Sequence, residues 1–489
     1  MLDLIQEYIP PWVPIAIVVH LAVLGTVAYL ILLERKVASW TQDRLGPNRV
    51  GPWGLLQPIA DGLKFILKED YRPRHVDKIL FTIAPAIMII VIIISIAVLP
   101  WGGIKESTRR MTIPTKPTDQ EMRAQAQGKL FAGAEVVGVA EVDHIDPGTN
   151  VEGQSIPRMS VVEVTYRWPF QITRLNIGVL FIVAVLSLAV YGVVLGGWAS
   201  NNKYSFLGGL RATAQMISYE IPLGLSVLSV AVLYGTLDLN TMVDRQAHYW
   251  AYVIPAWNIF TQPLAFVMFL ICIHAEANRA PFDLAEAEQE LVGGYHTEYS
   301  AMRFAMFFLA EYAGMITTSA VCVAMFFGGW HIPWLDLIWP SALGDPHSTN
   351  PSLVTSLWVC ILRSVVIFAK TLFIIFVFMW VRWSLPRFRF DQLMHLAWRA
   401  MIPIALATLL MTAIVLYFGG ARNDVYRTER RIDGALAAAF FVCNVILVSI
   451  VMIVSRIVPP PPDTNQRVEV LHSRFASTPL PGHLTATNN

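Results

Sequence analysis

One stretch decides how the whole sequence is interpreted, Ala275-Glu-Ala-Asn-Arg-Ala-Pro-Phe-Asp-Leu-Ala-Glu-Ala-Glu-Gln-Glu-Leu-Val-Gly-Gly-Tyr-His-Thr-Glu298. It places six carboxylates and one cation, Arg279, between two long apolar runs. Acids that crowd together at low dielectric cannot all ionise, so some hold protons near neutral pH and titrate as a coupled set. Such a set can store and pass protons. The alternative interpretation is an ordinary solvated acidic loop.

The composition indicates a protein built for a membrane. Of the 489 residues, 55% are hydrophobic and only 15% are charged, which is too apolar for a soluble protein of this size. The net charge of +1 gives no excess of either sign that would suggest binding to nucleic acid. The N-terminus lacks a basic region and a small-residue cleavage site, so its first apolar run is predicted to be a retained helix.

Nine stretches approach the roughly 20 apolar residues that a membrane-crossing helix needs. They are 12–33, 79–99, 175–195, 212–234, 253–275, 302–329, 357–381, 400–418 and 434–455. We therefore predict an all-α polytopic membrane protein with about nine transmembrane helices. Lys and Arg favour one set of short loops, which predicts an N-terminus outside and a C-terminus in the cytoplasm. The acidic loop then faces the cytoplasm.

The predicted organisation has five regions. They are the first two spans with an amphipathic helix (1–100), a small extracytoplasmic insert (101–174), the core spans with the acidic loop at 276–300 (175–418), a ninth span (419–458) and a disordered cytoplasmic tail (459–489). Within the insert, residues 134–142 and 159–166 alternate in a way that predicts short strands.

The loop after the first span predicts a helix that lies on the membrane surface. Its apolar residues recur at helical spacing, and they are Leu55, Leu56, Ile59, Leu63, Ile66 and Leu67. On the polar side, Asp61 and Lys64 are three residues apart, close enough to interact. An ordinary surface anchor has the same pattern.

Ionisable residues also occur inside the predicted spans, where they are costly enough to suggest a function. Glu220 lies nine residues into the fourth span, roughly 13 Å from its end at 1.5 Å per residue. Glu311 lies at a similar depth in the sixth. With Glu276, these acids are predicted to line one polar route. The alternative is that they form buried ion pairs with Arg363 or Lys370 of the seventh span.

The sequence has none of the usual signs of a redox centre. There is no Gly-rich nucleotide loop, no Walker pattern and no CxxC pair, and the four cysteines all lie in apolar runs, where small packing residues are common. His20 and His274 are predicted at different depths, which disfavours a haem held by both. Electrons, if any are involved, must come from another subunit.

Seven motifs of the chain are distinctive. They are Glu34-Arg-Lys36, Arg44-Leu-Gly-Pro-Asn-Arg-Val-Gly-Pro-Trp-Gly-Leu-Leu-Gln-Pro-Ile-Ala-Asp-Gly-Leu-Lys64, Gly197-Trp-Ala-Ser-Asn201, Ile217-Ser-Tyr-Glu220, Asn278-Arg-Ala-Pro-Phe-Asp-Leu-Ala-Glu-Ala-Glu288, Ala310-Glu-Tyr312 and Pro386-Arg-Phe-Arg-Phe-Asp-Gln-Leu-Met394. Together they resemble the H subunit of bacterial NADH-quinone oxidoreductase, the equivalent of mitochondrial NADH dehydrogenase subunit one in respiratory complex I. The resemblance covers most of residues 12 to 418 outside the insert.

The resemblance implies a coupling role with no catalytic residue, metal or redox centre within this chain. Quinone is the expected substrate, and NADH, FMN and iron-sulfur clusters are expected in partner subunits. Residues implied at the quinone chamber and entrance are Glu34, Arg35, Asp61, Lys64 and Arg279. Residues implied in the proton path are Glu220, Glu276, Glu311, Tyr312, Asp283, Glu286, Glu288 and Glu290.

The resemblance also implies the chain's surroundings, a bacterial cell (inner) membrane. The expected partners are the peripheral-arm subunits of the quinone site, small membrane subunits and antiporter-like subunits. Reduction of quinone would perturb the coupled acids, and Gly293-Gly294 offers a flexible site for rearrangement of the loop. The insert and the ninth span depart from the family's usual plan.

Three other classes of protein remain as alternatives. A related component of a membrane-bound hydrogenase would have a similar anchor without quinone, and the full Arg44 to Lys64 motif disfavours it. An autonomous transporter is expected to show internal repeats with broken helices, and none is visible. A purely structural anchor would leave Glu220 and Glu311 unexplained.

Overall fold

The computed structural model describes residues 10–114, 119–130, 134–145, 159–251, 253–283, 293–335, 353–420, 426 and 430–457. One compact unit ends at Leu447. The second unit, Val448–Asn489, is described only over the end of the last helix, up to Ile457. The predicted disordered tail at 459–489 therefore lies outside the described residues.

The predicted helical fold is confirmed, because eight helices in the described ranges are long and apolar enough to cross a membrane. In chain order the helices are α1 (Trp12–Thr41), α2 (Gln57–Leu67), α3 (Lys78–Ile96), α4 (Asp119–Lys129), α5 (Gly178–Ser187), α6 (Ala189–Ala199), α7 (Lys203–Tyr234), α8 (Leu239–Gln246), α9 (Asn258–Thr261), α10 (Pro263–Glu276), α11 (Ala301–Phe326), α12 (Leu357–Ser384), α13 (Phe390–His395), α14 (Ile402–Val415) and α15 (Gly434–Ile457). α5 with α6, and α13 with α14, each form one continuous apolar span.

The fifth predicted span, 253–275, is wrong in its first half. Instead of one long helix, this region contains the short α9 followed by α10, which has only 14 residues. Pro263 occupies the start of α10, where its missing N–H costs nothing because that position has no intrahelical acceptor. A count of hydrophobic residues does not predict this break, because residues 253–262 are largely apolar.

The fourth span begins earlier than predicted, at Lys203 instead of residue 212. Asn202 caps it, since its side-chain oxygen accepts from the backbone N–H of Tyr204 at 2.9 Å. Glu220 therefore lies seventeen residues into α7, roughly 25 Å along the helix axis. The helix continues through Pro222 and ends at Tyr234, and the next residue, Gly235, has a left-handed conformation that favours glycine.

α7 is the central helix of the core, and it packs against α6, α10 and α14. It also meets the turn at Gly294, where a Cβ on Gly208 of α7 would lie 2.8 Å from the Gly294 backbone. Any larger residue at position 208 would push the turn away. This close packing gives Gly294 a structural role, while the predicted flexibility of Gly293-Gly294 stays a hypothesis.

The insert contains a small sheet, as predicted. Its strands are β1 (Ile104–Pro114), β2 (Glu135–Ile145) and β3 (Met159–Pro169), with β6 (Leu353–Val354) at one edge, in the order β2-β3-β1-β6. A separate two-stranded sheet pairs β4 (Tyr249–Trp250) with β5 (Ile254–Pro255). The strands at 134–142 and 159–166 are confirmed, whereas β1 and α4 were not predicted.

One face of the insert sheet has its own apolar core. Val162 and Val164 of β3 are buried together with Met122 and Ala126 of α4. β1 escaped prediction because its central residues, Lys105 to Arg110, are polar on both faces. Pairing of β1 with β6 joins the insert to the residues just before α12.

Candidate functional site

A buried carboxylate in α1, Glu34, is the centre of a polar cluster. The Tyr312 hydroxyl in α11 donates to its Oε2 at 2.6 Å, and Arg279 Nη1 lies 3.3 Å from both of its oxygens. Arg382 of α12 donates to Oε1. Glu34 as a whole is only 6% exposed. Three separate elements therefore converge on one acid.

Arg279 joins this acid to a second one. Its Nε lies 2.7 Å from Oε1 of Glu311, and its guanidinium lies 4.0 Å from the centre of the Tyr312 ring. Burial by itself lowers the pKa of Arg279, but Glu311, Tyr312 and Glu34 outweigh this and raise it well above its ordinary value. Arg279 is therefore a permanent cation.

The turn after α10 positions the Arg279 side chain. Asn278 adopts a left-handed conformation, which asparagine tolerates better than most residues, and the Arg279 N–H donates to the His274 carbonyl at 3.3 Å. Gln215 of α7 holds this turn by donating to the Ala275 carbonyl at 2.9 Å and to Asn278 Oδ1 at 3.2 Å.

The Glu34 cluster, which consists of Glu34, Arg279, Glu311, Tyr312 and Arg382, balances its formal charges. Its two carboxylates face its two guanidinium groups. Buried ions are tolerated when each has a close partner, and loss of one partner leaves an uncompensated charge.

Lys370, considered above as a partner for the acids, donates to three backbone carbonyls after α11 at 2.7 to 3.0 Å.

Glu34 borders a cavity of about 560 Å³ between α1, α2, α11 and α12. This volume lies within the range of roughly 300–1,000 Å³ that is usual for small-molecule sites. The lining residues are Ile31, Glu34, Arg35, Ala38, Arg44, Pro47, Asp61, Phe65, Phe304, Phe308, Tyr312, Arg382 and Trp383. The cavity thus combines an aromatic wall with a charged and hydrogen-bonding one.

Comparison with known proteins gives the family. A family model described as NADH dehydrogenase matches residues 14–120 and 154–413. The NADH-quinone oxidoreductase H subunit 1 of Cytophaga hutchinsonii is 41% identical over 391 residues, which are 80% of this chain and 92% of the relative. The H subunit 2 of Koribacter versatilis is 42% identical over 401 residues, 81% of this chain and 94% of the relative. The H subunit 1 of Geobacter metallireducens is 41% identical over 413 residues, covering 83% and 98%.

The chain belongs to the family of NADH-quinone oxidoreductase H subunits. Members of this family are membrane subunits of a multisubunit respiratory enzyme, complex I, and the apolar helices identify this chain as an integral membrane protein. The family match omits residues 121–153, inside the insert, and ends before α15. Both regions are the ones that the sequence marked as departures.

Three of the five residues predicted at the quinone chamber line the cavity, namely Glu34, Arg35 and Asp61. Arg279 contacts Glu34 but is not among the lining residues of the described structure, and neither is Lys64. The predicted pairing of Asp61 with Lys64 is wrong. Asp61 instead binds Arg35 of α1 at 2.8 Å and accepts from Gln57 at 3.0 Å, because α1 and α2 pack together.

The predicted proton-path residues that the structure describes lie in three places. Glu311 and Tyr312 belong to the Glu34 cluster, whereas Glu276 at the end of α10 is close enough to Glu220 of α7 for the two carboxylates to repel each other. Asp283 is buried and pairs with Arg387 at 3.3 Å. The predictions for Glu286, Glu288 and Glu290 lie outside the described residues.

The sequence reasoning missed Arg382 and the aromatic wall of the cavity. Arg382 lies two residues from the end of α12, where the loop-charge rule counted it as an ordinary cytoplasmic-side cation. The sequence nonetheless indicated this pairing. Glu34 lies near the cytoplasmic end of the first apolar run and needs a cation, and Arg382 lies near the cytoplasmic end of the seventh apolar run. The aromatic residues lie on three helices, and the one signal in sequence was the four-residue spacing of Phe304, Phe308 and Tyr312, which places them on one face of α11.

Proposed function

We propose that this chain forms the membrane side of the quinone chamber of a proton-translocating NADH-quinone oxidoreductase, and that its buried acids begin the path that couples quinone reduction to proton movement. The observation that carries the proposal is the cavity bordered by Glu34. Its polar wall is continuous with a buried ion cluster whose members come from several elements.

The cavity suits an amphipathic ring with an apolar tail. Phe65, Phe304 and Phe308 offer an aromatic surface, while the guanidinium group of Arg382, which carries five N–H donors, lies on the polar wall beside the Tyr312 hydroxyl that donates to Glu34. Ligand sites of this kind combine a mostly apolar lining with a few placed polar groups. A quinone headgroup would bind near the donors, and its isoprenoid chain would follow the aromatic wall.

α2 is the proposed entrance from the bilayer. None of its residues is buried, and its apolar residues Ile59, Leu63, Ile66 and Leu67 are all more than half exposed. An amphipathic helix with an uncovered apolar face binds at the surface of a membrane. Asp61 and Phe65 of the same helix line the cavity. A lipid-soluble substrate could therefore pass from the acyl chains beneath α2 into the chamber.

Coupling would follow from charge. The Glu34 cluster is balanced, so negative charge gained by a quinone beside it raises the proton affinity of the nearby acids. Gln215 of α7 donates to both ends of the turn that follows Glu276 and carries Arg279, so this turn links Glu276 to a member of the Glu34 cluster. We propose that proton movement passes from the Glu34 cluster towards Glu276 and Glu220.

The remaining parts of the proposal concern partners and orientation. NADH, FMN and the iron-sulfur clusters would be bound by partner subunits, and quinone is the substrate. The peripheral-arm subunits of the quinone site would cover the acidic loop on the cytoplasmic side of a bacterial inner membrane, with the N-terminus outside and the C-terminus inside. Small membrane subunits and antiporter-like subunits would continue the path beyond Glu220.

Replacement of Glu220 by Gln tests the coupling path. We expect the enzyme to assemble and both quinone reduction and proton pumping by membranes to fall together, because Gln cannot carry a proton. The matched control is Glu163→Gln in the insert, where the acid is exposed and pairs with Arg110 at 3.8 Å. Parental levels of both activities in Glu220→Gln would show that this acid is a packing residue and that the path is wrong at its centre.

A further inference from the structure

His274 in α10 is a buried histidine that the function described so far does not use. It is only 3% exposed, and its ring stacks on Phe378 of α12 with 3.6 Å between ring centres. Its Nδ1 lies 2.7 Å from the Leu270 carbonyl. A carbonyl can only accept, so Nδ1 carries the proton and the neutral ring keeps a lone pair on Nε2.

This lone pair has no hydrogen-bond partner among the described residues, although Nε2 is fully buried. A buried acceptor without a donor costs free energy relative to an apolar group of the same shape. Phenylalanine would keep the stacking on Phe378 without this cost. A role in packing alone therefore does not explain the nitrogen.

The Glu34 cluster lies next to this position. Arg382 follows Phe378 by one helical turn in α12 and donates to Glu34. Arg279 donates its backbone N–H to the His274 carbonyl, and its buried Nη2 also has no hydrogen-bond partner in the described ranges. An orphan acceptor and an orphan donor thus belong to residues only five positions apart.

Charged and titratable groups occur on α10 and on the elements that contact it or the turn after it. They are Glu276 of α10 itself, Glu220 of α7, Glu311 and Tyr312 of α11, Arg382 of α12, Arg279 of the turn and, through Arg279, Glu34 of α1. The two carboxylates and two guanidinium groups of the cluster cancel. A proton on His274 adds one net positive charge, and negative charge that arrives in the cavity makes this protonation more favourable than before.

We propose that His274 is a proton-exchanging residue of the coupling path. Its Nε2 lone pair binds a proton when the quinone in the cavity is reduced, which makes both ring nitrogens donors, and it releases the proton when the reduced quinone leaves. The inference rests on the proposed function, because it needs a redox reaction in the cavity.

The test uses the complete enzyme in membranes. His274→Phe keeps the ring stack and removes both nitrogens, and His274→Gln provides a second variant that cannot titrate in this range. Quinone reduction and proton pumping are measured between about pH 5 and 8, where a histidine changes charge. We expect both variants to lose an ionisation from the pH profile and to pump fewer protons per quinone. The control, Phe378→Leu, removes the stack and keeps the nitrogen, so its profile should keep the parental shape.

Two results would overturn the inference. One is a pH profile and pumping ratio of His274→Phe that match the parent, and the other is loss of the same ionisation in Phe378→Leu. Glu220→Gln is measured in the same series. If it loses activity while His274→Phe matches the parent, only the role of His274 fails. If both match the parent, the proposed coupling path fails with it.

Discussion

Replacing Glu34 by Gln removes the charge on which Tyr312, Arg279 and Arg382 converge. Gln is nearly the same size and keeps one acceptor oxygen, so the packing of α1 against α11 and α12 is preserved. Arg279 and Arg382 are then left with Glu311 as the remaining acid of the cluster. One buried positive charge loses its compensation.

The expected cost follows from this arrangement. Removing one partner of a buried ion pair destabilises a protein by about 3–5 kcal/mol. The Gln oxygen still accepts from one donor, so the lower end, about 3 kcal/mol, is expected. The same change alters the polar wall of the cavity, so quinone reduction should fall as well.

The assay compares thermal unfolding of the purified enzyme and its quinone reduction rate for the parent, Glu34→Gln and Glu163→Gln. The control removes an exposed acid, whose pair with Arg110 is worth less than about 1 kcal/mol. An assembled Glu34→Gln enzyme with parental stability and parental quinone kinetics would refute the reasoning, because it would mean that the cluster carries no uncompensated charge.

Two further predictions concern the edges of the site. Arg35→Ala should change the free energy of unfolding by less than about 1 kcal/mol, because the pair of Arg35 with Asp61 is solvent-exposed. The same change should raise the KM for quinone, since both residues line the cavity. An unchanged KM would count against α2 as the entrance. His248, outside the spans, donates to the Ile432 carbonyl at 3.0 Å, and burial lowers its pKa to about 4. Between about pH 4 and 6.5, the unfolded chain therefore binds a proton at His248 that the folded chain does not. The contribution of His248 to the free energy of unfolding is constant above about pH 6.5. It falls as the pH drops towards 4, by up to about 2 kcal/mol at pH 5. Thermal unfolding of His248→Asn at pH 7 and 5 should show a smaller difference than the parent, and an equal difference would contradict this assignment.

Most of the helical fold could be predicted from sequence because a bilayer imposes a length and an apolar composition on each span. The errors occur where that rule does not apply. α7 extends beyond its apolar part to Lys203, and α10 begins late because Pro263 sets the start of a helix independently of hydrophobicity. β1 escaped prediction because Lys105 to Arg110 are polar on both faces, while the fully buried side chains that pack against α4 are Val162 and Val164 of β3.

The candidate site could be predicted only in part. The sequence suggested Glu34, Arg279 and Glu311 as functional residues, but the spacing along the chain does not show which of them meet. Glu34 and Arg279 are 245 residues apart, and Glu34 and Arg382 are 348 apart. Contacts over such separations depend on how helices pack. The cavity itself arises from four helices, and although the spacing of Phe304, Phe308 and Tyr312 indicates one aromatic face, it does not show which other helices face it.

The most direct test of the quinone chamber is photolabelling of the complete enzyme with a quinone that carries a photoreactive group, followed by mass spectrometry of peptides from this chain. We expect labels on the cavity wall, in α2 near Phe65 and in α11 between Phe304 and Tyr312, and we expect excess unlabelled quinone to compete with them. Two results would contradict the assignment of the cavity as the membrane side of the quinone chamber. One is that unlabelled quinone competes only with labels outside α1, α2, α11 and α12, and the other is that it competes with no label on this chain.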